Sequence, residues 1–246
     1  MIELEGLCKR YGQFTAVENL TLGVADGEIF GFLGPNGAGK TTTIRMMMGL
    51  LLPTSGRIRL GGFDLADQPI EAKRISGFVP DRPFLYDKLT ASEQLRFCAD
   101  LYEVEATKRE RRITEQLELF DLADWAGELV ESFSHGMKQR LAFAAALLHE
   151  PRLLVIDEPM VGMDPRGARM LRSLLRALAE RGTTIFLSTH SLEVAEALCD
   201  RIGIIQQAKL IALGSLDDLR AQAGTGRHLE EIFLKLTGAE DLGDVI

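Results

Sequence analysis

In the first third of the chain, apolar residues come in short runs separated by glycines. These runs predict strands at residues 22–24, 28–33, 56–60 and 75–79. In the last third, residues 153–156 and 184–188 are mostly apolar, which is typical of parallel strands buried on both faces. A helical pattern at about residues 166–181 lies between them, and residues 202–206 and 209–212 indicate a hairpin.

The middle of the chain has a helical pattern. Thr90 and Glu93 have the spacing of a capping box, and Leu95, Cys98 and Leu101 follow at helical spacing. Because strands alternate with helices on either side of this block, we expect an α/β sheet covered on both faces, with a helical insertion. The amphipathic segment 228–236 predicts a last helix that packs on the core.

Composition and charge narrow the class of protein. The chain has 246 residues, of which 46% are hydrophobic and 26% charged, as in ordinary globular proteins. The net charge of -8 argues against a nucleic-acid partner, since phosphate binding favours a basic surface. The apolar stretches 46–52 and 141–148 are shorter than the roughly 18 residues that span a bilayer, so membrane function would need another chain. An odd number of cysteines and a start without a signal-peptide pattern favour the cytosol.

A glycine-rich motif between the strand at 28–33 and a following helical segment fits the pattern GxxxxGK[ST]. Its glycines allow the backbone N–H groups to wrap a triphosphate, its lysine supplies a charge, and its threonine hydroxyl is a ligand for Mg²⁺. A plain glycine turn is the structural alternative. The motif alone predicts an NTPase or a kinase, with a triphosphate site formed by Gly34, Pro35, Asn36, Gly37, Ala38, Gly39, Lys40, Thr41 and Thr42.

A second motif ends the strand at 153–156 with two acids, Asp157 and Glu158. Ligands bind at the carboxyl ends of strands in open α/β sheets. We expect Asp157 to hold Mg²⁺ through water and Glu158 to accept a proton from an attacking water. The alternative is a helix-capping acid followed by a surface loop.

With these two motifs in place, the chain resembles the ATP-binding cassette family over about residues 2–215. The segment 133–140 looks like the family's signature, the segment 161–165 is similar to its D-loop, and 188–190 looks like its histidine switch. The resemblance implies that Ser134 and Gly136 cradle the γ-phosphate of an ATP held by a second cassette.

Further residues receive roles from the same resemblance. Asp164 would help to join the two cassettes, and His190 would contact the γ-phosphate and the attacking water. Tyr11 lies where the family has an aromatic that stacks on adenine. The chain departs from the family at Asp81, where glutamine is usual, although aspartate can still reach Mg²⁺ through water. His135, Met137 and the segment 229–238 are similar to a subclass of multidrug, antibiotic and polysaccharide exporters.

The resemblance also implies the architecture and the partners. The fold would be that of an α/β P-loop NTPase, with a mostly parallel core sheet, an antiparallel β subdomain and an inserted helical subdomain. The ATP-binding domain would cover 2–230, with its core at about 2–85 and 150–215, its helical subdomain at about 86–149, and a tail at 216–246. A second cassette, identical or not, and a separate membrane permease would be the partners, and the chain would lie on the cytoplasmic face of the membrane.

Three functions stay open beside this export motor. The first is a soluble cassette ATPase of translation or DNA repair, which usually has two cassettes or a coiled-coil insertion. The second is a P-loop kinase or metabolic NTPase, which leaves Ser134 and His190 unexplained. The third is a regulatory cassette without turnover, and the presence of Lys40, Asp157, Glu158 and His190 counts against it.

Two surface segments have alternative interpretations. Residues 84–86 are apolar and follow Asp81, which suits contact with the permease as well as a place in the core. The basic run 108–112 is interpreted as a solvated helix face, with contact to anionic lipid as the alternative.

Overall fold

The computed structural model describes residues 1–160, 165–224 and 228–238, and their strands form two sheets. The strands are β1 (Ile2–Tyr11), β2 (Phe14–Val24), β3 (Ile29–Leu33), β4 (Ser55–Leu60), β5 (Phe63–Asp64), β6 (Ser76–Val79), β7 (Leu153–Asp157), β8 (Thr184–Thr189), β9 (Arg201–Gln206) and β10 (Lys209–Gly214). The helices are α1 (Lys40–Met47), α2 (Pro69–Arg74), α3 (Ala91–Leu101), α4 (Ala106–Leu119), α5 (His135–Leu147), α6 (Pro165–Glu180), α7 (Leu192–Leu198), α8 (Leu216–Ala223) and α9 (Leu229–Thr237).

The larger sheet has the strand order β10-β9-β3-β8-β7-β6. Its pairs are parallel except for the antiparallel hairpin of β9 and β10. Every residue of β3, β7 and β8 is buried, as expected for the central strands of a parallel sheet that is covered on both faces. The predicted α/β sheet and its late hairpin are confirmed.

The smaller sheet is antiparallel, with the order β2-β1-β4-β5. The sequence predicted only the end of β2, at 22–24, and did not predict β1. Irregular pairing explains the omission. The register between β1 and β2 shifts three times, and Gly6 and Asn19 have φ angles of 56° and 48°. Such bulges interrupt the strict alternation of buried and exposed positions from which a strand is predicted.

Helices α3, α4 and α5 lie between β6 and β7 in the chain, as the helical pattern predicted. Thr90 caps α3 in a complete capping box with Glu93, which confirms that motif. Phe120 and Phe143 stack in the shared core of α4 and α5, with ring centroids 6.1 Å apart. Helix α5 starts at His135 because the side chain of Ser134 caps it.

The basic run in α4 is neutralised by neighbouring acids. Four ion pairs cover it: Lys108–Glu105, Arg109–Asp100, Arg111–Glu115 and Arg112–Glu150. Since each cation already has a carboxylate partner, the solvated helix face is the interpretation that the structure favours over a lipid contact.

The last helix packs on the core, as its amphipathic pattern predicted. Leu229 and Ile232 of α9 are fully buried beside Leu33 and Ile204 of the larger sheet. The Gln206 side-chain amide donates to the carbonyl of Thr237 at 2.9 Å, which fixes the end of α9 near the end of β9. No helix in the described part of the chain combines the length and apolar character needed to cross a membrane.

Candidate active site

The glycine-rich loop turns sharply between β3 and α1. Gly37 and Gly39 have φ angles of 79° and 116°, a region that residues with a Cβ rarely adopt. At Gly39 a Cβ would also lie 2.4 Å from the carbonyl oxygen of Ala16, so β2 passes directly against the loop. The carbonyl of Gly39 accepts from both the N–H and the hydroxyl of Thr43, which fixes the first turn of α1. The loop is therefore held with the N-terminus of α1 at its end, the arrangement that binds anions.

Lys40 folds back over this loop. Its side chain is buried, and Nζ donates to the carbonyl oxygens of Gly34 at 2.6 Å and Pro35 at 3.2 Å. Burial lowers the pKa of Lys40, while the negative charges of Glu158 and Asp157 act in the opposite direction. A phosphate entering the loop would find an ammonium already in place there.

Asp157 ends β7 and is almost completely buried, with 3% of its surface exposed. Its carboxylate accepts hydrogen bonds from the hydroxyls of Ser188 and Thr41. Burial raises the pKa of Asp157; the two hydroxyl bonds oppose this shift, whereas the negative charges of Glu158 and Asp81 add to it. The site thus concentrates acidic groups beside the Thr41 hydroxyl.

Glu158 leaves the strand in an unusual backbone conformation. Its φ angle is 54°, and its N–H donates to the carbonyl of Ser188 at 3.0 Å. Its Oε2 lies 2.9 Å from Nδ1 of His190, and His190 is the more exposed of the two side chains. A left-handed backbone costs a non-glycine residue about 1–2 kcal/mol, and such strain tends to collect at functional sites.

The loop and the acids line one cavity of about 320 Å³. The described residues lining it are Phe14, Ala16, Asn36, Gly37, Gly39, Lys40, Thr41, Thr42, Asp81, Asp157 and Glu158. The cavity thus combines residues from motifs that lie far apart in the sequence.

The sequence reasoning missed two lining residues, Phe14 and Ala16. Phe14 is paired with Tyr11 across the tip of the β1–β2 hairpin, and it is Phe14 that lines the cavity. Tyr11 is half exposed, and the ammonium of Lys9 lies 5.1 Å from its ring centroid. An aromatic two residues after Gly12 was the available sequence signal for Phe14.

Other predicted site residues lie elsewhere. Ser134 is exposed at the start of α5, where its hydroxyl accepts the N–H of Met137 at 3.3 Å, and Gly136 lies in the same turn. Neither belongs to the described lining of the cavity. Ala38 is buried, and its carbonyl accepts the N–H of Ala208 at 3.2 Å. Asp164 lies outside the described residues.

The candidate metal ligands are all oxygen atoms. Within residues 1–160, 165–224 and 228–238, no group of three or more His, Cys, Asp or Glu side chains could hold a metal. One hydroxyl and one or two carboxylates, from Thr41, Asp157 and Asp81, match what Mg²⁺ uses when waters and substrate phosphates complete its shell. The residues present therefore fit a magnesium ion that arrives with a nucleotide.

The comparisons with known proteins identify the family of this chain. The family model described as ABC transporter matches residues 17–161. The chain is 42% identical over 224 residues to the linearmycin resistance ATP-binding protein LnrL of Bacillus subtilis (strain 168), covering 91% of this chain and 72% of that protein. It is 43% identical over 221 residues to the bacitracin transport ATP-binding protein BcrA of Bacillus licheniformis, covering 89% and 71%.

Solved structures give the same result. The ATP-binding subunit of an ABC transporter superposes with a TM-score of 0.91 at 37% identity, over 96% of this chain and 99% of that one. A dimeric ATP-binding cassette bound to ADP and Pi superposes with a TM-score of 0.78 at 25% identity, over 88% of this chain and 99% of that one. The chain belongs to the ABC transporter family, and it is an ATP-binding, ATP-hydrolysing subunit of that family. Nothing in these comparisons supports a function in translation or DNA repair.

Proposed function

We propose that two cassettes, of which this chain is one, close around ATP and drive export through a separate membrane permease. The observation that carries the proposal is the position of Ser134. It begins α5, exposed and outside the cavity, in the cap geometry of an anion-binding helix N-terminus. Paired with the nucleotide of a second cassette, Ser134 and Gly136 would complete a site that one chain leaves open. The dimeric cassette bound to ADP and Pi supports this pairing.

The residues of the cavity would divide the work on ATP. The loop from Gly34 to Thr42 would bind the phosphates, and Lys40 would neutralise the β- and γ-phosphates. Glu158 would accept the proton of the attacking water, while His190, in contact with Glu158, would orient that carboxylate and reach the γ-phosphate.

The remaining roles concern the magnesium ion, the adenine of the nucleotide and the contact between cassettes. Thr41, Asp157 and Asp81 would hold Mg²⁺, which when bound neutralises charge that develops on the phosphates. Phe14, which lines the cavity beside the loop, would contact the adenine together with or in place of Tyr11. Asp164 would contribute to the joint between cassettes.

The permease would bind a surface that we call the aromatic edge, formed by Phe84, Tyr86, Phe97 and Leu101. Their exposed fractions are 89%, 57%, 43% and 67%, and the rings of Tyr86 and Phe97 meet edge to face at 5.2 Å. Apolar side chains exposed together in a soluble domain commonly mark an interaction site. The aromatic edge begins three residues after Asp81. Movement of Asp81 when the cassettes close around the nucleotide would therefore shift the surface that binds the permease.

The names of two relatives support the proposed direction of transport. LnrL is named for linearmycin resistance and BcrA for bacitracin transport, which supports export of antibiotic-like compounds. The chain would lie on the cytoplasmic face of the membrane through its permease, without a nucleic-acid partner.

The proposed domains would move during the cycle. The helical region at about 86–149 would rotate against the core at about 2–85 and 150–215, and residues 216–246 would form a tail.

The proposal is tested by isolating the tagged protein from its native membranes in mild detergent. The wild type, Phe84→Asp and the control Leu52→Asp are compared; Leu52 is 82% exposed, precedes β4, and has its carbonyl bonded to Lys9 of β1 in the smaller sheet. We expect the wild type and the control to bring down a polytopic membrane protein that stimulates their ATPase activity. Phe84→Asp should lose that protein and keep its basal ATPase.

Two results would count against the proposal. Recovery of ribosomes, DNA or nothing with the wild type, at intact ATPase, would overturn the transport assignment. Equal recovery with Phe84→Asp would leave transport standing and remove the aromatic edge as the docking surface.

A further inference from the structure

Ser188 contacts both acids of the site, although the resemblance of 188–190 to a histidine switch gives a role to His190 alone. Its hydroxyl donates to Oδ1 of Asp157, and its carbonyl accepts the N–H of Glu158 at 3.0 Å. Asp157 and Ser188 are directly paired residues at the ends of β7 and β8. One residue therefore fixes Asp157 through its side chain and Glu158 through its main chain.

The hydroxyl of Ser188 matters because Asp157 has little access to water. Ser188 is fully buried and Asp157 is 3% exposed, so solvent cannot replace a lost donor. A buried carboxylate without its hydrogen bonds is unfavourable, and it relieves the loss by rotating towards other donors. The Ser188 hydroxyl bonded to Oδ1 and the Thr41 hydroxyl together hold the carboxylate in its orientation, and loss of the Ser188 hydroxyl removes one of these two donors.

Ser188 does not act on the nucleotide directly. It is not among the described residues that line the cavity, which contains Asp157 and Glu158. It acts through the acids that do line it, as a positioning residue. The chain continues from Ser188 through Thr189 to His190, which contacts Glu158. The same short segment therefore holds Glu158 both through the carbonyl of Ser188 and through the side chain of His190.

We infer that the Ser188 hydroxyl positions Asp157 for the divalent cation that accompanies the nucleotide. This inference rests on the proposed role of Asp157 as a metal ligand. Groups that hold a metal ligand in place commonly change metal affinity by about 10–100-fold when they are removed. Because the hydroxyl donor is the functional group in this inference, threonine at position 188 should preserve metal affinity and alanine should not.

The experiment measures binding of Mn²⁺ to the complex of the protein with ADP, from the electron paramagnetic resonance signal of free Mn²⁺. This readout needs no turnover. In Ser188→Ala we expect the Kd for Mn²⁺ to rise about tenfold or more, with unchanged affinity for ADP in the absence of divalent ions. Ser188→Thr should have a Kd for Mn²⁺ close to that of the wild type. The matched control is Ser76→Ala, which removes another buried strand hydroxyl, one that donates to the carbonyl of Ala72 at 2.7 Å.

Asp157→Asn separates the inference from the proposed function. If Asp157→Asn weakens Mn²⁺ binding but Ser188→Ala does not, the inference is wrong and the role of Asp157 stands. If neither changes the Kd, both fail. In the double variant Ser188→Ala/Asp157→Asn, the serine change should have no further effect; an undiminished effect there would show that Ser188 acts without Asp157 and would overturn the inference.

Discussion

Replacing Gly39 by alanine tests the geometry of the phosphate loop quantitatively. At its φ angle of 116° a residue with a Cβ is strained, by about 1–2 kcal/mol for a left-handed conformation. The new Cβ would also lie 2.4 Å from the Ala16 carbonyl, a main-chain atom of β2 that can yield only if the strand moves. Overpacking of this kind costs roughly 1–3 kcal/mol, for a total of about 2–5 kcal/mol.

Two control glycines separate strain from contact. Gly37 has a φ angle of 79° and open space around its added Cβ, so Gly37→Ala should lose only about 1–2 kcal/mol. Gly127 has neither a positive φ nor a neighbour within 4 Å of the added Cβ, and Gly127→Ala should be close to neutral.

The assay is thermal unfolding combined with a titration of ATP. For a chain of this size 1 kcal/mol corresponds to about 2–4 °C in Tm, so Gly39→Ala should unfold roughly 4–20 °C below the wild type. It should also bind ATP far more weakly, because moving the loop misdirects its N–H groups. If Gly39→Ala matched Gly37→Ala in both Tm and ATP affinity, the close approach of β2 to the loop would not be the constraint described.

The remaining predictions concern Glu158 and His149. Glu158→Gln should retain Mg-ATP, accumulate as a dimer by size exclusion and lose about 10²–10⁴-fold in turnover; a monomeric variant with normal turnover would contradict the roles of both Glu158 and Ser134. The rings of His149 and Tyr102 stack with their centroids 3.8 Å apart, and burial lowers the pKa of His149 from 6.5 to about 4. The unfolded chain takes up this proton first, so the contribution of His149 to stability is complete above pH 6.5 and is lost as the pH falls towards 4. Tm measured against pH should fall less steeply in this window for His149→Phe, and an identical slope would reject the assignment.

The chemistry of the site was easier to predict from the sequence than its full outline. The motif from Gly34 to Thr41 has a fixed spacing because triphosphate geometry requires it, and Asp157 and Glu158 come at the end of an apolar strand where no packing argument explains acids. Both signals are local, and both led to residues that line the cavity.

Contacts made by distant segments could not be predicted in this way. Phe14 and Ala16 reach the cavity because β2 passes against Gly39, and nothing near them in the sequence reports that approach. The bond from Ser188 to Asp157 depends on the register between β7 and β8, which the apolar pattern of either strand leaves undetermined. Strand β1 escaped prediction because its bulges shift the alternation of its side chains.

The position of β3 between β8 and β9 has a consequence for synthesis on the ribosome. The four strands of the smaller sheet are complete once Asp64 has emerged, and that sheet can form early. β3 has neither of its neighbours until β8 is complete at Thr189. During that interval an apolar strand with two open edges must be shielded from other nascent chains, because such edges promote aggregation. The phosphate loop that follows β3 therefore reaches its final form late, and a chain stopped before β8 would carry the whole nucleotide motif without the sheet that supports it.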